Sequence, residues 1–182
     1  MERIRVSQNF YLDEFVDPYT YFMLEDHGLS LIDVRIIQIA QLLRSLYGKP
    51  ININNWWRTA VEMNANGKSN MEIIEFIEDS NLHKWSGYRH DRWDKYNKRS
   101  AHADGNAIDP KGDQKSYFKI VCDNAELFYS FGLRRLENIK ITNGWLHMDV
   151  EERNHSKGKI RVVGRKTHDG DVIVSSGQFI AA

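Results

Sequence analysis

The sequence predicts a mixed α+β fold, with helices packed on a small, mainly antiparallel sheet. Three observations carry that expectation. The first half places apolar residues at helical spacing between capping residues, and the second half has short alternating runs separated by Gly- and Asn-containing turns. Of the 182 residues, 41% are apolar, enough for one sizeable core, so a single domain over 1–182 is expected and two full domains would be a squeeze.

From Ser30 to Tyr47, residues such as Leu31, Ile36, Ile37, Ile39, Leu43 and Leu46 fit a helix buried over a wide face. Ser30 or Asp33 caps its start, and Gly48 followed by Pro50 ends it. Ile51 and Ile53 alternate with Asn52 and Asn54 as a short strand leading to Trp56 and Trp57. Asn64 to Ser69 reads as a loop, after which Ser69 with Glu72 makes a capping box for a helix through about Asp79. His83 to Arg99 is aromatic and charged without periodicity. It reads as an ordered loop, because Trp85, Tyr88 and Trp93 argue against disorder.

Gln114 to Phe131 is predicted as one helix stopped by Gly132, with Tyr117, Ile120, Val121, Leu127, Phe128 and Phe131 available to the core. Leu133 to Ile141 and Trp145 to Val150 read as two strands joined by a hairpin-like turn at Thr142, Asn143 and Gly144. Ile160 to Val163 and Val172 to Val174 form a final pair around His168, Asp169 and Gly170, so residues 154–182 are expected to be a β-hairpin extension.

The 25 basic and 25 acidic residues cancel, so no global field draws the chain to nucleic acid or an anionic membrane, and neither is an expected partner. Met1 to Phe15 lacks the apolar stretch of a secretory signal, and no run approaches the ~20 apolar residues of a membrane span. A soluble product made in the cytoplasm is expected. Cys122 is the single cysteine and reads as a small core residue. It excludes an intramolecular disulfide framework and a thiolate-rich metal site, so a metal would need His and carboxylate ligands.

Two segments carry such ligands. In SAHADGNAIDP, His102 and Asp109 are seven apart and would leave opposite faces of a straight strand, so they share a ligand only if the backbone turns, which Gly105 allows. In WLHMDV, Trp145, His147 and Asp149 share one strand face while Leu146, Met148 and Val150 share the other, as on a strand whose polar side lines a pocket. Taken singly, the bland readings are a surface turn and a half-exposed strand. Together the segments offer two imidazoles and a carboxylate, a set that suits catalytic zinc with a fourth position open to water.

SGYR at Ser86 to Arg89, SAHADGNAIDP at Ser100 to Pro110 and GWLHMDVE at Gly144 to Glu151 resemble the successive motifs of the zinc D-Ala-D-Ala carboxypeptidase family. That family includes L-alanyl-D-glutamate endopeptidases, is often phage-encoded, and is related to vancomycin-resistance dipeptidases and the Hedgehog signalling domain. NFYLDEFVDP and GKPININNWW resemble its N-terminal half, so the likeness runs from about residue 8 to 153. It implies a zinc peptidase of the Hedgehog/D-Ala-D-Ala peptidase-like fold acting on peptidoglycan stem peptides, as a phage or prophage cell-wall lytic protein does.

The same resemblance implies Zn2+ as cofactor with His102, Asp109 and His147 as ligands, and Arg89 as the group that binds a substrate carboxylate or carbonyl oxygen. Arg58, directly after the NNWW segment, is a rival for that role, since a guanidinium fork suits either position. Ser100 and Trp145 flank the ligands as further candidates for substrate contact. Trp56, Trp57 and Trp93 are candidates for cleft walls, beside core packing, the commoner fate of aromatics. Many members carry an acidic base three residues before the last ligand, where this chain has Gly144. The substitutes are Asp149, favoured because strand geometry aims it to the same face as His147, and Glu137 on the preceding strand. An orienting role for Asp149 stands beside its role as base.

Two other classes remain. A zinc-binding or virion structural module without turnover would explain Gly144, and would retain zinc while releasing nothing from peptidoglycan. A nonhaem iron oxygenase would use His147, Asp149 and either His155 or His168, and would carry iron in place of zinc.

Overall fold

A computed structural model of the chain describes residues 1–80, 86–92, 97–152 and 159–164 and the backbone of a strand at Val172–Val174. Six α-helices are present among the described residues: α1 (Pro18–Leu24), α2 (Val34–Tyr47), α3 (Trp57–Ala65), α4 (Asn70–Asp79), α5 (Gln114–Asp123) and α6 (Ala125–Ser130). Five strands, β1 (Ala107–Ile108), β2 (Arg135–Glu137), β3 (Met148–Asp149), β4 (Ile160–Val163) and β5 (Val172–Val174), form one sheet in the order β1-β3-β2-β4-β5. The α+β class is as expected, but the sheet is mixed: β2 pairs with β4 in parallel and the other three pairings are antiparallel.

Local chemistry accounts for the helices that were legible. Asp33 caps α2 by accepting from the Arg35 amide, and Gly48 closes it in the left-handed conformation at φ 75°. Ile36, Ile39 and Leu43 then fall on one buried face of α2, which packs against α5. Each such side chain contributes roughly 1.5–3 kcal/mol on burial. Ser69 and Glu72 satisfy one another's backbone donors at the start of α4.

Several elements differ from expectation. Among the described residues the segment Ile51–Ile53 forms no extended strand: Ile51 and Ile53 are buried as the alternation requires, but its ladder contact there is a single bridge between Asn52 and Lys111. Trp57–Ala65 is helical although its sequence is polar. Trp56 at its start is fully buried and donates its indole N–H to the Val16 carbonyl, so this aromatic builds core and not cleft. Gln114–Phe131 is two helices, because the backbone leaves helical geometry at Asn124 (φ −123°, ψ 32°), whose side chain donates to the Ile120 carbonyl. After that break Leu127 and Phe131 point to solvent.

The hairpin from Leu133 to Val150 keeps its antiparallel pairing over fewer residues, with Leu136 opposite Met148. Its connection is drawn aside, since the Gly144 carbonyl accepts from the Gly112 amide and Trp145 bridges to Lys111. The final pair β4–β5 is antiparallel as expected, and through β4 it extends the main sheet. One apolar cluster of buried residues runs from Phe10 to Val162. Trp85, Trp93 and the turn at His168 to Gly170 lie outside the described residues.

Gly105 lies where backbone freedom and space are both needed. It sits at φ 68°, and a Cβ there would come within 1.9 Å of the Leu31 carbonyl oxygen. The Gly105 carbonyl also accepts from the Asp33 amide, which ties the ligand loop to the entry of α2. Gly105→Ala is therefore expected to destabilise the protein by more than ~3 kcal/mol, as overpacking adds to left-handed strain. Gly48→Ala, equally left-handed but with nothing within 4 Å, is the control at about 1–2 kcal/mol. Urea unfolding of both variants checks this; equal losses would remove the role of the Leu31 contact.

Candidate metal centre

The sheet register brings together residues that are far apart in sequence. Ile108 pairs with Met148 and Leu136 pairs with Met148, so the next position out is a row made by Asp109, His147 and Glu137 on three adjacent strand ends. The Glu137 amide donates to the His147 carbonyl at 3.1 Å, which continues the ladder into this row. Side chains in one row leave the same face of a sheet. The opposite face carries Ile108, Met148 and Leu136, all fully buried.

His102 arrives from the turn that follows Ser100. The Ala103 amide donates to the Ser100 carbonyl, and the Asn106 amide to the Ala101 carbonyl, so the chain reverses between His102 and Asp109 as the seven-residue spacing demanded. One donor atom from each of His102, Asp109 and His147 lies within 4.8 Å of the others, the one such group of three among the described residues. All three side chains are buried. His102 Nε2 is 3.3 Å from one Asp109 oxygen and His147 Nδ1 is 2.8 Å from the other.

Each imidazole is held through its second nitrogen. His102 Nδ1 faces the Gly87 carbonyl at 2.9 Å, and His147 Nε2 faces Asp149 Oδ2 at 3.1 Å. A ligating histidine fixed in this way presents the other nitrogen inward in a set tautomer. The donor set, two imidazoles and a carboxylate with both rings braced, therefore fits a divalent metal.

Asp149 is on the same strand face as His147, but it does not look into open space. It is fully buried, 2.5 Å from Arg135 Nε across the β2–β3 pair, and does not line the cavity at the cluster. This corrects the expectation that strand geometry aims it at the metal: period 2 aims it at the outer nitrogen of His147. Glu137, one row along, does line the cavity, which measures about 290 Å³ and also includes Ser86, Arg89, Ser100, Lys111 and Trp145. Arg89 Nη2 is 3.7 Å from Asp109.

Arg58 is corrected as the substrate anchor. Its side chain is 90% exposed on α3 and pairs with Glu62, and it does not line this cavity. Trp57 lines a separate hollow with Tyr21 and Phe22, of about 410 Å³, and a third of about 580 Å³ runs along α2. Both are larger than the cavity at the cluster, so convergence of donors and not size marks the site. Arg135, Lys111 and Ser86 were not singled out in the sequence. Arg135 alternates with Glu137 along β2, a signal that becomes readable only once β2 is paired with β3 in register.

Electrostatics follow from burial and from these pairings. Burial alone would pull the His147 pKa down, but hydrogen bonds to Asp109 and Asp149 outweigh it and push it up to about 10. Burial opposes ionisation of Asp109, yet the charges of and hydrogen bonds to His102 and His147 hold it well below the usual carboxylate range. For His102, burial wins and its pKa is lowered despite Asp109. Burial also lowers the Arg89 pKa, against the pull of Asp109 and Glu137.

Comparison of the chain with models of known protein families, with characterised proteins and with solved structures gives no match. No helix among the described residues is long and apolar enough to cross a membrane.

Alanine at His102, Asp109 or His147 is each expected to abolish binding of an added divalent metal, with zinc as the probe, while alanine at His27, His83, His155 or His168 leaves it intact, read by metal content after dialysis. Retention by the His102 variant would refute the ligand set. A pH dependence follows as well. The folded His147 pKa lies above its ordinary value, so the charged ring stabilises the metal-free protein below about pH 6.5, and this contribution is lost as pH rises through about 10. Metal requires the neutral ring, so zinc uptake is expected to release about one proton, and affinity to rise about tenfold per unit from pH 7 to 8.5. Calorimetry in buffers of different ionisation enthalpy measures this. A pH-independent affinity would mean that the ring is already neutral.

Proposed function

We propose that the chain is a zinc-dependent peptidase acting on the peptide stems of bacterial peptidoglycan. The observation that carries this reading is the meeting, in one cavity, of the braced His102, Asp109 and His147 with an arginine and an unbraced carboxylate, Arg89 and Glu137. A metal site with a cation and an acid in reach has the parts for hydrolysing an amide. The resemblance of SGYR, SAHADGNAIDP and WLHMDV to the D-Ala-D-Ala carboxypeptidase family supplies the substrate class.

In this reading His102, Asp109 and His147 hold the ion, which supplies Lewis-acid polarisation and a nucleophilic water at neutral pH. Glu137 accepts the proton from the attacking water and passes it to the leaving amine as the C–N bond breaks and a C–O bond forms. Arg89 binds a substrate carboxylate or the developing oxyanion with its fork. Asp149 holds the His147 ring and keeps Arg135 paired, which leaves Glu137 as the better base of the two. Gly144, exposed with no neighbour within 4 Å of a Cβ, offers no acid of its own.

Digestion of purified peptidoglycan, with fragments identified by mass spectrometry, tests the activity. Zinc retention without any released fragment would favour a binding module instead. If Glu137 is the base, Glu137→Gln keeps zinc and lowers kcat by at least ~100-fold. Asp149→Asn instead weakens zinc by ~10- to 100-fold, with activity restored by excess metal. The reverse pattern would return the base role to Asp149. Arg89→Lys is expected to reduce kcat/KM sharply at full zinc occupancy, because an ammonium cannot reproduce the fork, whereas Arg58→Lys changes nothing.

A further inference from the structure

Residues 86–90, which carry Arg89, contain no helix or strand, and their position is set by hydrogen bonds on two sides. Toward the metal centre, the Ser86 carbonyl accepts from the Asp109 amide at 2.8 Å, the Gly87 carbonyl faces His102 Nδ1 at 2.9 Å, and the Arg89 amide donates to the His102 carbonyl at 3.1 Å. Away from it, the Ser86 amide donates to Asn54 Oδ1 at 2.9 Å and the Tyr88 amide to the Phe15 carbonyl at 2.7 Å. The His90 amide donates to Asp17 Oδ2 at 3.2 Å. The strap is thus clamped between the ligand loop and the N-terminal segment.

The outer wall contains two buried polar side chains, Asp17 at 5% and Asn54 at 6% exposure. Asp17 caps α1, but capping needs one oxygen: Oδ1 accepts from the Thr20 amide at 2.9 Å. The second oxygen accepts from Thr20 Oγ1 at 2.9 Å and from the His90 amide. That last bond reaches 73 residues along the chain and serves no purpose for the helix.

We infer that Asp17 is a positioning residue for the metal centre, holding the strap through the His90 amide so that the Gly87 carbonyl braces His102 and Arg89 faces Asp109. This rests on the reading of His102, Asp109 and His147 as metal ligands. It extends the site to an N-terminal side chain that touches neither metal nor substrate. Loss of the clamp loosens the brace on a ligand, and such braces change metal affinity by ~10- to 100-fold.

The test compares Asp17→Ser with Thr20→Val in the full chain. Serine caps a helix as well as aspartate but is too short and has one oxygen too few to hold His90. Thr20→Val removes a bond to the same Asp17 oxygen without touching the strap. Amide hydrogen exchange at Tyr88 and His90 in metal-free protein, and the zinc Kd by chelator competition, are measured on both. Expected for Asp17→Ser are exchange at His90 faster by at least tenfold and a zinc Kd weakened about tenfold, with Thr20→Val within twofold of the parent in both. If Asp17→Ser does not fold, Asp17→Asn replaces it, since the Thr20 and His90 amides donate to different carboxylate oxygens and asparagine puts a donor NH2 in place of one of them.

Equal shifts in the two variants, or none in Asp17→Ser, would overturn the inference and leave Asp17 as a helix cap. A parent protein that binds zinc and shows the Asp17 effect but releases no peptidoglycan fragment would sustain the inference while the peptidase reading fails. Cleavage that persists with an unshifted Asp17→Ser would do the opposite. A parent that binds no zinc would overturn both.

Discussion

The carboxylate of Asp109 lies between two imidazoles in a site from which most water is excluded, and the surrounding structure has to make that arrangement tolerable. A buried, unpaired carboxylate costs several kcal/mol, so an opposite charge must sit beside it. Without metal that charge is a proton on His147, which is why its pKa rises to about 10 despite burial. A divalent cation bound by the same three side chains would take the place of that proton. The metal-free centre is thus already shaped around a positive charge, with Arg89 adding a second one at 3.7 Å.

The division of labour among the acids follows from strand register more than from the identity of the residues. Ala107, Asp149 and Arg135 form one row across β1, β3 and β2, and Asp109, His147 and Glu137 the next row on the same face, beyond the oppositely facing Ile108, Met148 and Leu136. In the first row the small Ala107 leaves room, Arg135 neutralises Asp149 at Oδ2, the same oxygen faces His147, and Oδ1 accepts from the Glu151 amide. In the second row Asp109 and His147 turn toward one another and Glu137 faces the cavity. A one-residue slip of β2 would exchange Arg135 and Glu137 for Leu136 and turn the polar face into the core. The parallel pairing of β2 with β4 and the burial of Leu136 against that slip hold the register.

This explains what the sequence could and could not disclose. Features fixed by near neighbours were legible: the Asp33 and Gly48 ends of α2, the Ser69–Glu72 box of α4 and the turn at Gly105. The His102, Asp109, His147 set was legible for another reason, the donor chemistry of its two segments and their resemblance to known motifs, although cross-strand pairing is what brings it together. Features fixed by partners elsewhere in the chain were not. Asp149 looked like the better base because its own strand places it with His147, and only the cross-strand Arg135 shows its charge to be occupied. Trp56 was open to cleft wall or core because an aromatic carries no label for either, and its destination in the core was decided by Tyr21, Phe22 and the Val16 carbonyl. The helix Trp57–Ala65 has little apolar periodicity, with Ala60 its one buried side chain, so packing at its start supports it more than its own pattern does.

The N-terminal segment shows how distant motifs become one unit. Phe10, Leu12, Phe15 and Val16 are buried in the core, which fixes their backbone. A fixed backbone offers carbonyls at fixed positions, and those of Phe15 and Val16 are taken by Tyr88, Trp56 and Asn54. Gly87 passes so near Phe15 that a Cβ would lie 2.1 Å from its carbonyl oxygen, a distance only backbone movement could relieve. Moving the backbone there would carry the Gly87 carbonyl away from His102. The tight contact at Gly87 therefore converts apolar packing at one end of the chain into the orientation of His102, a candidate metal ligand 15 residues farther on, and Asp17 secures the same strap three residues beyond it through the His90 amide.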